Sequence, residues 1–154
     1  MREPSDTDPN GRTRRRGVGS IRRMAEFLSA AWIAELDAAA RGADDLAIDA
    51  PLVVEQVVDD GTGAPVRYQV RIGPVGASVS EDARPPADVV LVTDRATAWA
   101  IHAGTLRAQD AFARGALKVR GRPELLAGRA DLFARLDRAF APVRAGTTLP
   151  NDDR

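Results

Sequence analysis

The sequence predicts an α+β domain, with helices covering one face of a mainly antiparallel sheet. Three observations carry this. Strand-like stretches cluster in the first half of the chain, and helical patterns stand before and after them. One strand alternates cleanly, with Val66, Tyr68, Val70 and Ile72 on one side and Arg67, Gln69 and Arg71 on the other, so it has one packed and one wet face. Near the end, Leu125, Leu126, Leu132, Phe133, Leu136 and Phe140 make a broad apolar stripe suited to a helix lying on a sheet.

Residues 1–20 are polar, rich in Gly and Pro and without apolar period, and are expected to be a disordered tail. Its Arg12, Arg14, Arg15 and Arg16 form a basic knot, either simply solvated or in touch with nucleic acid or lipid head groups. The folded domain is expected over 21–145, with 146–154 a second frayed tail. The first helix is FLSAAWIAELDAAARG, with Ser29 as N-cap, Trp32, Ile33, Leu36, Ala39 and Ala40 on one face and Gly42 as its stop. A hairpin follows, LVVEQVVD (52–59) and VRYQVRIG (66–73) around the turn residues DDGTGAP.

A third strand is expected at ASVS (77–80) and a fourth over 88–93, where Val89, Val90, Leu91 and Val92 do not alternate and suggest cover on both faces. Thr93 or Asp94 caps a helix over RATAWAIHAG, and Gly104 ends it. AQDAFARG (108–115) is a short helix, and 117–120 a strand with Leu117 and Val119 on one face and Lys118 and Arg120 on the other. The last element, PELLAGRADLFARLDRAF, is expected as one helix with Pro123 in its first turn, Gly128 inside it and Pro142 marking its stop.

Composition removes several functions. The 154 residues fit one domain, and 22 basic residues balance 22 acidic ones, so no global field draws the chain to nucleic acid or anionic membranes. There is no cysteine and no apolar run long enough to span a bilayer, and the N-terminus lacks a secretory apolar stretch; a cytoplasmic protein is expected. A single histidine, His102, leaves no partner for a serine nucleophile and no His/Cys metal set. Asp44–Asp45 and Asp59–Asp60 sit in turn-like stretches, where turn formation is their expected role. The glycine pairs 17/19 and 61/63 lack the strand, helix and lysine of a phosphate loop. No catalysis, metal or cofactor is expected; the chain is expected to act by binding.

FLSAAWIAELDAAA, the hairpin, and ADVVLVTDRATAWAIHAGTLRAQDAFARGALKVRGRPELL together resemble the sterol carrier protein type 2 family. The likeness spans about 27–140. It is carried by Ala111-Phe112-Ala113-Arg114-Gly115, by Leu117-Lys118-Val119-Arg120-Gly121 and by the closing helix. The resemblance implies a five-stranded sheet with helices on one face, enclosing an apolar tunnel for fatty acyl, acyl-CoA or sterol-like lipids. It implies binding, transfer or presentation of lipid without catalytic residues. Where the family often has Gly-Asp, this chain has Gly121-Arg122, and Glu124 is left to favour the helix start.

Trp32, Leu36, Val70, Ile72, Leu91, Trp99, Phe112, Phe133 and Leu136 would line such a tunnel, though each also suits an ordinary core. Val53, Val57, Val90 and Val92 suggest an apolar patch on the outer sheet face, the docking surface of a homodimer or of a lipid-metabolising enzyme. The alternative is an accessory or scaffold module with a filled core, acting through protein contacts. Lys118, the one lysine of the chain, is read either as a charge near a lipid head group or as a guard against further strand pairing.

Overall fold

A computed structural model describes residues 25–149; the tail expected over 1–20, and 150–154 of the other expected tail, lie outside the described residues. In chain order the elements are β1 (Ala25–Glu26), α1 (Ala30–Gly42), β2 (Leu52–Asp59), β3 (Val66–Gly73), β4 (Gly76–Ser80) and β5 (Val89–Asp94). Then come α2 (Arg95–Ala103), α3 (Ala108–Ala113), β6 (Leu117–Gly121), a 3-10 turn (Pro123–Leu126), α4 (Ala130–Ala145) and β7 (Thr147–Thr148).

Local chemistry sets the element ends. Ser29 caps α1, its Oγ accepting the Trp32 N–H at 3.1 Å. Asp94 caps α2 by accepting the Thr97 N–H at 2.7 Å, and this contact holds its carboxyl below the usual range. The turn carboxylates do what their positions predict: Asp59 accepts the Gly61 N–H and Asp60 the Thr62 N–H, each at 3.0 Å.

The five-stranded sheet has the order β4-β3-β2-β5-β6. Three pairings are antiparallel, and β2–β5 is parallel. A parallel neighbour requires a crossover. Here β3, β4 and the segment 81–88 provide it, and the helices are left to the other face. The segment is tied across the outer face. The Gln69 amide donates to the Ala83 and Pro85 carbonyls at 3.2 and 2.9 Å, and Arg71 donates to the Asp82 carbonyl at 2.7 Å.

The patch expected on the outer face is covered only in part. Val53 and Val57 are buried, and Val90 and Val92 are half-buried. Register sets Lys118 beside Val92 and Arg120 beside Val90, where long basic side chains can lay their aliphatic stems along valine. Lys118 thus sits on the outer face of β6, an edge strand, which suits the guarding role.

The C-terminal part differs from expectation in three ways. Gly128 takes φ +78°, so the expected single helix is a 3-10 turn followed by α4. Pro142 lies within α4 rather than ending it, on an exposed side where the carbonyl it leaves unpaired can meet water. Thr147 and Thr148, expected to fray, pair in parallel with Ala25 and Glu26.

The core joins α1 and α4 to the β3–β4 half of the sheet. Trp32, Ile33, Leu36 and Ala40 pack with Val70, Ile72, Ala77 and Val79 and with Leu132, Leu136 and Val143. Asp37 of α1 also accepts the Val79 N–H at 2.8 Å, fixing the helix to the β4 edge. The other half of the helical layer is different: α2 buries no residue, and α3 buries only Ala111.

Candidate functional site

The looseness of α2 and α3 leaves a space over β2, β5 and β6. Leu91 marks it. It lies on the inner face of β5, which has a strand on either side, yet it is only half-buried. In a fully meshed layer such a side chain would be covered. The resulting cavity has a volume of about 990 Å³. Val54, Gln56, Val58, Leu91 and Val119 belong to its sheet side, and Leu106, Leu126 and Phe140 to its helical side.

Eight of the nine sequence-predicted site residues line this cavity. Trp32 and Leu36 come from α1, Val70 and Ile72 from β3, and Leu91 from β5. Phe112, Phe133 and Leu136 come from α3 and α4. Phe112 is 57% exposed, so it stands at the rim. Trp99 is the exception and is not among the residues that line the space. In α2 the side chains turned to the cavity are Ala98, Ile101 and His102, at helical spacing of three and four. Trp99 falls off that face and packs edge-on against Phe27, with ring centroids 5.2 Å apart.

Behind this wall, Thr147 ties three elements together. Its hydroxyl donates to the Val143 carbonyl at 2.5 Å and accepts the Trp32 indole N–H at 3.2 Å. His102 Nε2 lies 3.1 Å from the same oxygen. A hydroxyl has one proton, already given to Val143, so Nε2 must be the protonated nitrogen of a neutral ring. Burial, helped by the Arg144 guanidinium and opposed by Asp137, lowers the His102 pKa to about 4. Arg144 is itself held by the His102 carbonyl at 2.7 Å and by Asp137 at 2.5 Å. His102 is therefore a structural imidazole on a cavity wall.

The sheet side carries polar groups that the sequence did not single out. Gln56 and Tyr68 are direct cross-strand partners and both line the cavity. Tyr68 is half-buried, and burial pushes its phenol far above its usual pKa, so the group stays neutral. Thr93 also lines the cavity, but its Oγ1 is sealed from solvent and has no hydrogen-bond partner. Among the described residues no group of three His, Cys, Asp or Glu side chains is placed to hold a metal.

With helices on one face, a β4-β3-β2-β5-β6 sheet and an apolar cavity between the layers, the chain is similar to a crystal structure of sterol carrier protein 2. The TM-score is 0.59 at 20% identity, covering 77% of this chain and 98% of that one. The chain has the sterol carrier protein 2 fold. A Thermus thermophilus protein, whose name offers sterol carrier protein as a candidate identity, superposes with TM-score 0.53 at 21% identity, over 84% of this chain and 96% of its own. No protein-family model matches the sequence, and no curated protein does. Within the sterol carrier fold, the second-half segments that carried the sequence resemblance are α3, β6 and the 3-10 turn with α4, which all border the cavity.

Proposed function

We propose that this chain binds a lipid in the cavity, without catalysing a reaction on it, and acts by carrying or presenting that lipid. The half-buried Leu91 over an open cavity of about 990 Å³ supports the reading best, since ligand pockets of drug-sized molecules run to about 300–1,000 Å³. An apolar wall binds mainly by removing methylenes from water, at about 0.8 kcal/mol each before ordering costs. The sterol carrier fold points the same way. The ligand class is a fatty acyl chain, an acyl-CoA or a sterol-like molecule, and a lipid-metabolising enzyme is the natural partner for a carrier of this kind.

The open space argues against a scaffold module with a filled core. The test is direct. Protein purified without detergent is extracted with organic solvent and the extract examined by mass spectrometry, and the stripped protein is titrated with a fluorescent acyl probe. Copurified lipid or saturable uptake is expected. Neither lipid in the extract nor uptake of the probe would overturn the proposal.

A further inference from the structure

Lipid binding alone leaves the ligand's chemistry open, and the sheet side of the cavity narrows it. Gln56 on β2 stands opposite Tyr68 on β3, both on the inner face. Cross-strand partners have Cβ atoms about 4.5–5.5 Å apart, so the two side chains stand side by side on the cavity floor. Their neighbours on that face are apolar: Val54, Val58, Val70 and Leu91. Two polar ends thus interrupt an otherwise greasy floor.

Among the described residues, neither side chain is hydrogen-bonded to another protein group. The contrast with Gln69, one residue along on the opposite face, is sharp. Its amide donates to Glu55, Ala83 and Pro85 and accepts from Arg71. The same residue type is fully partnered where the protein closes over it and left open where it meets the cavity. Buried polar groups find partners, and groups left open toward a cavity are available to its occupant.

The charged side chains lining the cavity are Arg107, Asp137 and Arg144, all from the helical layer or its approach, and Arg144 is already engaged by Asp137. None comes from the sheet, and His102 is neutral near pH 7. A carboxylate seated over Gln56 and Tyr68 would meet no opposite charge there. A neutral oxygen could accept from the phenol or the amide, and a hydroxyl could also donate to the amide oxygen.

We propose that Gln56 and Tyr68 form a hydrogen-bonding station for a neutral oxygen, hydroxyl or carbonyl, carried by a long apolar ligand. The ligand class is an alcohol, ketone or ester-type lipid rather than a bare hydrocarbon or a carboxylate seated at that point. This rests on the cavity being a lipid site.

The experiment uses the full chain, stripped of lipid, with dodecan-1-ol, dodecane and dodecanoate each displacing a fluorescent acyl probe, in wild type and in the single variants Gln56→Leu and Tyr68→Phe. Each variant is expected to weaken dodecanol by about tenfold, the loss of one net hydrogen bond, and to leave dodecane and dodecanoate within about twofold. An unchanged dodecanol-to-dodecane ratio overturns the station. So does an equal loss for dodecanoate. A second readout needs no variant: bound dodecan-2-one should show its carbonyl stretch shifted to lower frequency than in alkane solvent, and an alkane-like frequency refutes the assignment. If none of the compounds displaces the probe and the probe itself does not bind, the carrier reading fails and the station with it. Normal binding with no oxygen preference overturns the station alone.

Discussion

Replacing Thr93 by valine should make the protein more stable. Thr93 is 6% exposed, and its Oγ1 is a buried hydroxyl with no hydrogen-bond partner. It lies between Val58 on β2 and Leu117 on β6, both buried. Such an unsatisfied group costs about 1–3 kcal/mol against a partnered or apolar one. Valine keeps the branched shape and removes the polar atom. We expect a gain of about 1–2 kcal/mol and a rise in Tm of roughly 3–6 °C for a domain of this size. Urea denaturation of lipid-free protein should show a higher midpoint with an unchanged m-value. Because Oγ1 has no open surface toward the cavity, affinity for an acyl probe should not change. A neutral or destabilising Thr93→Val means the hydroxyl has a partner, such as an ordered water. A loss of lipid affinity means that the hydroxyl belongs to the ligand site, which refutes its being sealed off from the cavity.

Four further outcomes are expected. Along a series of straight-chain alcohols, each added methylene should tighten binding about fourfold until the cavity is filled, as about 0.8 kcal/mol per methylene requires; a flat series in a displacement assay refutes an apolar site. His102 has a folded pKa of about 4 against 6.5 in a free chain, so the unfolded state binds more protons between those values. Its contribution is complete above about pH 6.5 and is lost as pH falls toward 4. The gap is worth ~3 kcal/mol at most, and about 1–2 kcal/mol once solvent screening of a half-buried ring is allowed for; His102→Gln should flatten the acid limb of a stability–pH curve. Gly121→Ala should cost several kcal/mol, about 1–3 from the positive φ alone, because an added Cβ would stand 2.5 Å from the Asp88 carbonyl oxygen; near-normal thermal stability refutes this. Amide exchange in lipid-free protein should be faster in α2 and α3 than in α1, and saturating lipid should slow it there; equal protection of all three helices would show that the cavity's helical side is not loosely held.

Much of the fold can be read from the residues. The alternation of β3 fixes its inner and outer faces, and the turn carboxylates at 59 and 60 place the hairpin. Ser29 and Asp94 mark two helix starts, and Gly104, in the left-handed region, marks one end. What the residues do not show locally depends on long-range pairing. Nothing in Val89–Asp94 says that its neighbour will be β2 and that the pairing will be parallel. That outcome goes with segment 81–88 being tied back to Gln69 and Arg71, 11 to 16 residues before their partners. Likewise Thr147 reads as tail, and only the fold brings it to Trp32 and His102.

The site was harder to read because the same signal describes two interiors. Leu91, Phe112 and Phe133 are apolar and sit at the right period, and that is true whether they meet other side chains or a ligand. The difference lies in what stands opposite. The helices α2 and α3 have nine and six residues, rich in alanine, and between them bury one side chain. Short alanine-rich helices reach less deeply into a layer than α1, which fills its share with Trp32, Ile33 and Leu36. The sheet half under α1 is therefore mostly core, with Trp32, Leu36, Val70 and Ile72 at the cavity's edge, and the half under α2 and α3 is open. Gln56 shows the same division in one residue. In a sealed core an amide opposite Tyr68 would need a protein partner, as Gln69 has on the outer face. Where space has been left for a ligand, the partner can come with the ligand.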